Sequence, residues 1–198
     1  MFIMKPKKLN LGCYKDYKKG YINLDFDINC KLDVVHDMNK PMPFKDNEFD
    51  EILCLEMLEH LYFPSQVLQE LKRILNPNGI LIASMPNETN LATRLRILFK
   101  GNINCNIMKD LPHHFHFTNV SQQIKFYEQF FSIKEVTYIT LTGKLYNKLP
   151  WKIKEFLTLK YPNLFCECAV FTLIYPQFIR GKEKVIERNQ SEFKSYNK

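Results

Sequence analysis

No stretch of this 198-residue chain approaches the ~20 consecutive apolar residues that a bilayer-spanning helix needs. An integral membrane protein built on such helices is therefore not expected. The N-terminus, MFIMKPKK, has no long apolar segment behind its basic residues and no cleavage site, which argues against a secretory leader. No CxxC pair occurs among the six cysteines. Cys13, Cys30, Cys54, Cys105, Cys166 and Cys168 are scattered, several of them in apolar runs. They read as free thiols in a reducing compartment, and the expected location is the cytoplasm. Cys166 and Cys168 would share one face of a strand as ordinary packing. Internal repeats and low-complexity tracts are also missing. What remains is globular composition, 45% apolar and 25% charged, in a length that suits one domain.

The charge is uneven. Residues 1–99 hold 13 basic and 13 acidic side chains, whereas residues 100–198 hold 15 and 8, so the whole excess of +7 lies in the second half. A basic half favours an acidic partner, whether a phosphorylated substrate, nucleic acid or anionic lipid; a solvated basic surface is the plainer alternative. Residues 1–178 read as the domain, and residues 179–198 as a polar, basic tail.

Short apolar runs at 9–11, 21–24, 32–35, 51–55 and 80–84 each end at a turn or polar residue. Buried strands of a parallel sheet have this appearance. Between the last two runs, Val67, Leu68, Leu71, Ile74 and Leu75 fall at helical spacing, which predicts an amphipathic helix over 64–75. Further helices are expected over 91–99 and 120–131, and late strands over 133–139 and 167–175. The fold class is α/β, a Rossmann-like, mostly parallel seven-stranded sheet flanked by helices. Such sheets bind ligands beyond the carboxyl ends of their strands. That places function on Gly12, Cys13, Asp25, Asp37, Met38, Leu55 and Glu56. Two carboxylates on separate strand ends suit a ligand with sugar hydroxyls and an exocyclic amine.

The string Leu9-Asn10-Leu11-Gly12-Cys13, then Gly20-Tyr21-Ile22-Asn23-Leu24-Asp25, then Asp33-Val34-Val35-His36-Asp37, resembles the opening of class I S-adenosylmethionine-dependent methyltransferases of the type 11-like kind. Leu58-Glu59-His60-Leu61, the segment from Leu71 to Gly79 and Met85-Pro86-Asn87 continue the likeness, which covers roughly residues 8–90. The resemblance implies S-adenosyl-L-methionine as cofactor. It implies that Asn10, Gly12 and Cys13 meet the methionine part, that Asp25 with Phe26 takes the ribose, and that Asp37 and Met38 border the adenine. Leu55 and Glu56 would form the pocket floor. Two departures stand out. Tyr14 occupies a position where the family usually has a second glycine. The first connection, between Gly12 and Gly20, is too short for the usual crossover helix, so that helix is expected to be shortened or missing. Lys15, Lys18 and Lys19 are the alternative source of positive charge for the cofactor's carboxylate.

The histidines are the other unusual feature. The cluster His113-His114-Phe115-His116 reads either as a structural pair or as substrate-side groups, with His114 and His116 as catalytic bases and His113 and His60 touching the acceptor. Histidine titrates near neutral pH, which suits removing a hydroxyl proton. A metal site would need further ligands, and no cysteine or carboxylate pair is spaced to complete one. The expected reaction is methyl transfer to oxygen or nitrogen of a small-molecule or glycan-like acceptor, of acidic character where it meets the basic half. The alternatives are a methyltransferase-like binding subunit without catalysis, and an enzyme acting on RNA. A nicotinamide dehydrogenase is disfavoured: G-x-G-x-x-G is missing, and Asp25 follows Gly12 by 13 residues rather than ~20.

Overall fold

The computed structural model describes residues 6–101, 107–108, 111–112, 115–141 and 146–176. Its centre is a seven-stranded sheet. Four strands come first: β1 (Lys8–Leu11), β2 (Ile22–Asp25), β3 (Val34–Val35) and β4 (Phe49–Leu55). A turn of 3-10 helix, Leu58–His60, leads to α1 (Pro64–Ile74) and then β5 (Leu75–Pro86). The second half contributes α2 (Leu91–Lys100), a small hairpin of β6 (Ile107–Met108) with β7 (Leu111–Pro112), and α3 (Val120–Tyr127). It ends with β8 (Ser132–Thr140), α4 (Trp151–Lys160), the single-turn α5 (Pro162–Phe165) and β9 (Cys166–Ile174).

The strand order is β3-β2-β1-β4-β5-β9-β8. The first five run parallel, and β9 and β8 join antiparallel at the far edge. The central strands are buried on both faces, which is why Leu9, Leu11, Ile52, Leu53 and Leu81 read as continuous apolar runs rather than alternating ones. α1 buries Val67, Leu68, Leu71 and Ile74, one apolar stripe of a helix begun by Pro64.

Expected and observed elements differ in instructive ways. The third strand is only Val34–Val35, because the side chain of Asp33 turns to accept from the backbone and side-chain amides of Asn23. The helix expected over 120–131 ends at Tyr127, beyond which the backbone N–H groups of Gln129 and Phe130 bond three residues back in a tightened turn. α4 has no counterpart among the expected elements. The missing first crossover helix is confirmed: residues 12–21 join two parallel strands without one. The connections 26–33 and 36–48 lack helices too.

Side-chain hydrogen bonds hold these connections instead. Asn10 and Asn23 are both buried. Asn10 donates to the Asp16 carbonyl at 2.8 Å and to Asn23 Oδ1 at 3.0 Å, while Asn23 bonds both ends of the Lys18 peptide region. The 36–48 loop is pinned by Arg73, whose guanidinium reaches the carbonyls of Met42 and Phe44 and the carboxylates of Asp46 and Glu70.

Candidate functional site

The carboxyl ends of β3, β2, β1 and β4 lie side by side in that order. The chain leaves β1 at Gly12, where φ is +68°. The N–H groups of Gly12 and Cys13 both donate to the Leu24 carbonyl, at 2.9 and 3.3 Å, tying this loop to β2. A Cβ on Gly12 would lie 2.4 Å from Cγ of Met57. Only glycine permits that approach together with a positive φ. Tyr14 also takes a positive φ, +39°. The backbone therefore keeps a glycine-like conformation, while the side chain points outward and is 54% exposed. Cys13 is buried and lies near Asp25; desolvation first and that carboxylate second raise its thiol to about 12, so it is inert as a nucleophile.

Asp25 is buried at the end of β2. Its Oδ2 accepts from Tyr14 N at 2.8 Å, and its Oδ1 from the backbone N–H of Phe26 and Asp27 at 2.7 and 3.1 Å. An ionised carboxylate has about four acceptor sites, so Asp25 both organises the loop and retains acceptor capacity toward a hydroxyl. Phe26, next to it, is 68% exposed and presents an apolar ring beside that carboxylate. Asp37 begins an Asx turn, accepting from the backbone and side chain of Asn39; those bonds hold its pKa below the usual range. Met38 behind it is buried.

At the end of β4, Leu55 is half-buried and Glu56 takes a positive φ of +50°. Glu56 Oε1 accepts from Ser84 Oγ at 2.7 Å and from Cys168 Sγ at 2.9 Å, which draws the carboxylate back onto β5 and β9. Beneath it lies Glu59, 1% exposed, whose Oε2 has no hydrogen-bond partner among the described residues. Desolvation, then the nearby charges of Glu56 and Glu88, push Glu59 up to about 9. The Tyr127 hydroxyl from α3 is equally buried and unpartnered among the described residues, with Cys54, Glu59, Cys168 and Glu56 around it.

Of the predicted site residues, Gly12, Cys13, Asp25, Phe26, Asp37, Met38, Leu55 and Glu56 gather at this one end of the sheet. Asn10 lies within β1, one turn of pleat back, and both hydrogens of its amide are used inside the β1–β2 connection. His60 sits on the 3-10 turn, with Nε2 3.8 Å from Glu59 Oε1. His116 Nε2 lies 2.9 Å from the Leu61 carbonyl, to which it can only donate. Phe115 N donates to the Glu59 carbonyl at 2.8 Å, so this segment rests on the turn after β4. His113 and His114 lie outside the described residues. Glu59, Ser84, Tyr127 and Cys168 were not singled out as site residues. Glu59 is visible in the sequence as a carboxylate between Leu58 and His60 in Leu58-Glu59-His60-Leu61, and Cys168 as packing beside Cys166.

Residues 16–83 match the family model described as a methyltransferase domain. They run from the first connection into β5 and so contain the ends of β2, β3 and β4, while β1 and Gly12 lie just before them. This part of the chain is similar to a methyltransferase domain. The ubiquinone biosynthesis O-methyltransferase of Pasteurella multocida is 43% identical over 54 residues, 27% of this chain and 22% of that protein. The protein of the same name from Xanthomonas campestris is 25% identical over 143 residues, 72% of this chain and 56% of that one. The chain thus aligns with between about a fifth and somewhat over half of these curated relatives. Among solved structures, an S-adenosylmethionine-dependent methyltransferase of Methanosarcina mazei superposes with a TM-score of 0.57 at 13% identity, covering 89% of this chain and 95% of that one. A [4+2]-cyclase superposes with a TM-score of 0.54 at 13% identity, over 86% of this chain and 75% of that one. Likeness at that level is one of fold, and a methyltransferase-like fold alone does not fix the reaction. The cofactor of the class I family is S-adenosylmethionine, and the residues fit it: a glycine cradle at Gly12, a carboxylate with an exposed apolar ring at Asp25 and Phe26, and an apolar wall at Met38 and Leu55.

Proposed function

We propose that this chain binds S-adenosylmethionine across the ends of β1 to β4 and transfers its methyl group to an oxygen or nitrogen of a small-molecule or glycan-like acceptor. The observation that carries this reading is the convergence of Gly12, Asp25, Asp37 and Leu55 on one crevice, the last three within the stretch that matches the methyltransferase-domain model. The cofactor supplies an already reactive sulfonium methyl. The protein's contribution is to hold the acceptor in line with it and to exclude water. Gly12 and Cys13 would border the methionine part, Asp25 and Phe26 the ribose, Asp37 and Met38 the adenine, and Glu56 the floor. For a hydroxyl acceptor, His114 or His116 would take the proton, with His60 and His113 on the acceptor side. His116, donating from Nε2 to Leu61, keeps Nδ1 as its acceptor atom when neutral.

Calorimetric titration with S-adenosylmethionine and S-adenosylhomocysteine tests the reading. Micromolar binding of either supports it, and the acceptor is then sought among acidic and glycan compounds. No binding at millimolar cofactor sinks it. Asp25→Ala should weaken cofactor binding by about 1–3 kcal/mol, the range for hydrogen bonds to a charged group. Unchanged affinity in a folded variant would place the ribose elsewhere. A second reading, a binding subunit that does not transfer methyl groups, is favoured by one observation: three backbone N–H groups already occupy the Asp25 carboxylate. The same titration separates the two.

A further inference from the structure

α2 and α4 are built inside out. The buried residue of α2 is polar, Thr93. Leu91, Leu95 and Leu98 follow one another at helical spacing on the other side, flanked by Phe99. Leu98 is 73% and Phe99 78% exposed. α4 repeats the arrangement. Its buried residue is Thr158, whose hydroxyl donates within the fold, and Trp151, Ile153, Phe156 and Leu159 are exposed. Basic residues are interleaved with these apolar ones. Segments 91–100 and 146–161 together hold seven lysines and arginines against one acid, Glu155. Lys154 lies over the Trp151 ring, and Lys160 over Phe156 and Tyr161.

Both helices pack on α5, and one asparagine ties α5 to the start of α2. Asn87, at the carboxyl end of β5, donates to the carbonyls of Pro162, Asn163 and Cys166. Its own carbonyl receives the side chain of Asn90, which caps α2 by accepting from Thr93 N at 3.0 Å. The exposed apolar and basic surface is therefore anchored at the same end of the sheet as the candidate crevice.

We propose that α2 and α4 form a docking surface for an anionic lipid bilayer. Apolar and aromatic side chains enter the interface, and the interleaved lysines and arginines meet lipid phosphates. Charge decides between this occupant and a second copy of the chain. A two-fold pairing would set the same basic surface against itself, whereas an anionic surface complements it. The inference does not depend on the cofactor reading, and its test needs neither cofactor nor acceptor.

Trp151 is the single tryptophan of the chain, so its fluorescence reports on α4 in the unaltered protein. Adding vesicles of mixed phosphatidylcholine and phosphatidylglycerol at low salt should shift its emission to the blue. The protein should sediment with these vesicles and bind phosphatidylcholine alone at least about tenfold more weakly. Leu98→Glu with Phe156→Glu, both on exposed positions, should reduce sedimentation by about tenfold or more at an unchanged melting temperature. Failure to bind the mixed vesicles, with an unshifted Trp151, overturns the proposal. So does binding that survives the double substitution but disappears when Lys182, Lys184 and Arg188 are replaced by Gln. Light scattering that shows a dimer dissociated by the double substitution overturns it in favour of a contact between copies.

Discussion

Gly12 and Met57 meet where the first strand opens onto the crevice. Alanine at position 12 would bring a methyl within 2.4 Å of Met57 Cγ at a positive φ. The left-handed backbone alone costs about 1–2 kcal/mol for a residue with a Cβ. Gly12→Ala should lower stability by at least that amount and impair cofactor binding; thermal melts and titration check both. Glu59 offers a pH signature. Inside the protein it holds its proton to about 9, against an ordinary value of 4.5, because burial and the charges of Glu56 and Glu88 disfavour ionisation. Between those values the native state carries a proton that the unfolded chain has released. The contribution is full below about 4.5 and is lost as pH rises toward about 9. Glu59→Gln should flatten that decline, and urea titrations at several pH values measure it. An unchanged slope would assign the decline to another group. His60, 3.8 Å away, and the buried Tyr127 and Cys54 near Glu59 are titratable neighbours that the substitution leaves intact.

Among the elements, the connections before β4 carry unusual weight because none contains a helix. Arg73 is the main tie between the 36–48 loop and α1. Its flat fork serves two carbonyls and two carboxylates at once, a geometry lysine cannot reproduce. Arg73→Lys should cost about 1–3 kcal/mol, read as a lower urea midpoint, with Met38 and its side of the crevice loosened. The strand ends were legible in the sequence because parallel strands leave short apolar runs that stop at Gly12, Asp25, His36 and Glu56. α1 was legible because its apolar residues keep one stripe. α4 was not, since Trp151, Ile153, Phe156, Leu157 and Leu159 surround the helix without forming a single inward face. Asn10 was legible as a polar residue in an apolar strand, but its bonds to Asp16 and Asn23 depend on contacts the sequence does not display.

On the scale of the molecule, the two halves divide the work. The charge-balanced first half builds the crevice, and the basic second half extends the sheet with β9 and β8, against which α3 packs. Among the described residues, no helix is long and apolar enough to cross a membrane. The first connection has a further electrical consequence. In the usual arrangement a helix N-terminus would present a fixed partial charge to an anion at the end of β1. Here residues 12–21 offer lysine side chains instead, with Lys18 paired to Asp16 at 2.7 Å and Lys15 lying over the Tyr14 ring. Lys15 is exposed, and charges on such stems are screened by ions over about 10 Å at ordinary salt. Affinity for S-adenosylmethionine should therefore fall with rising salt more steeply than for the analogue lacking the carboxylate. Ionic strength would then act on this site as a dial that a helix-backed pocket does not possess.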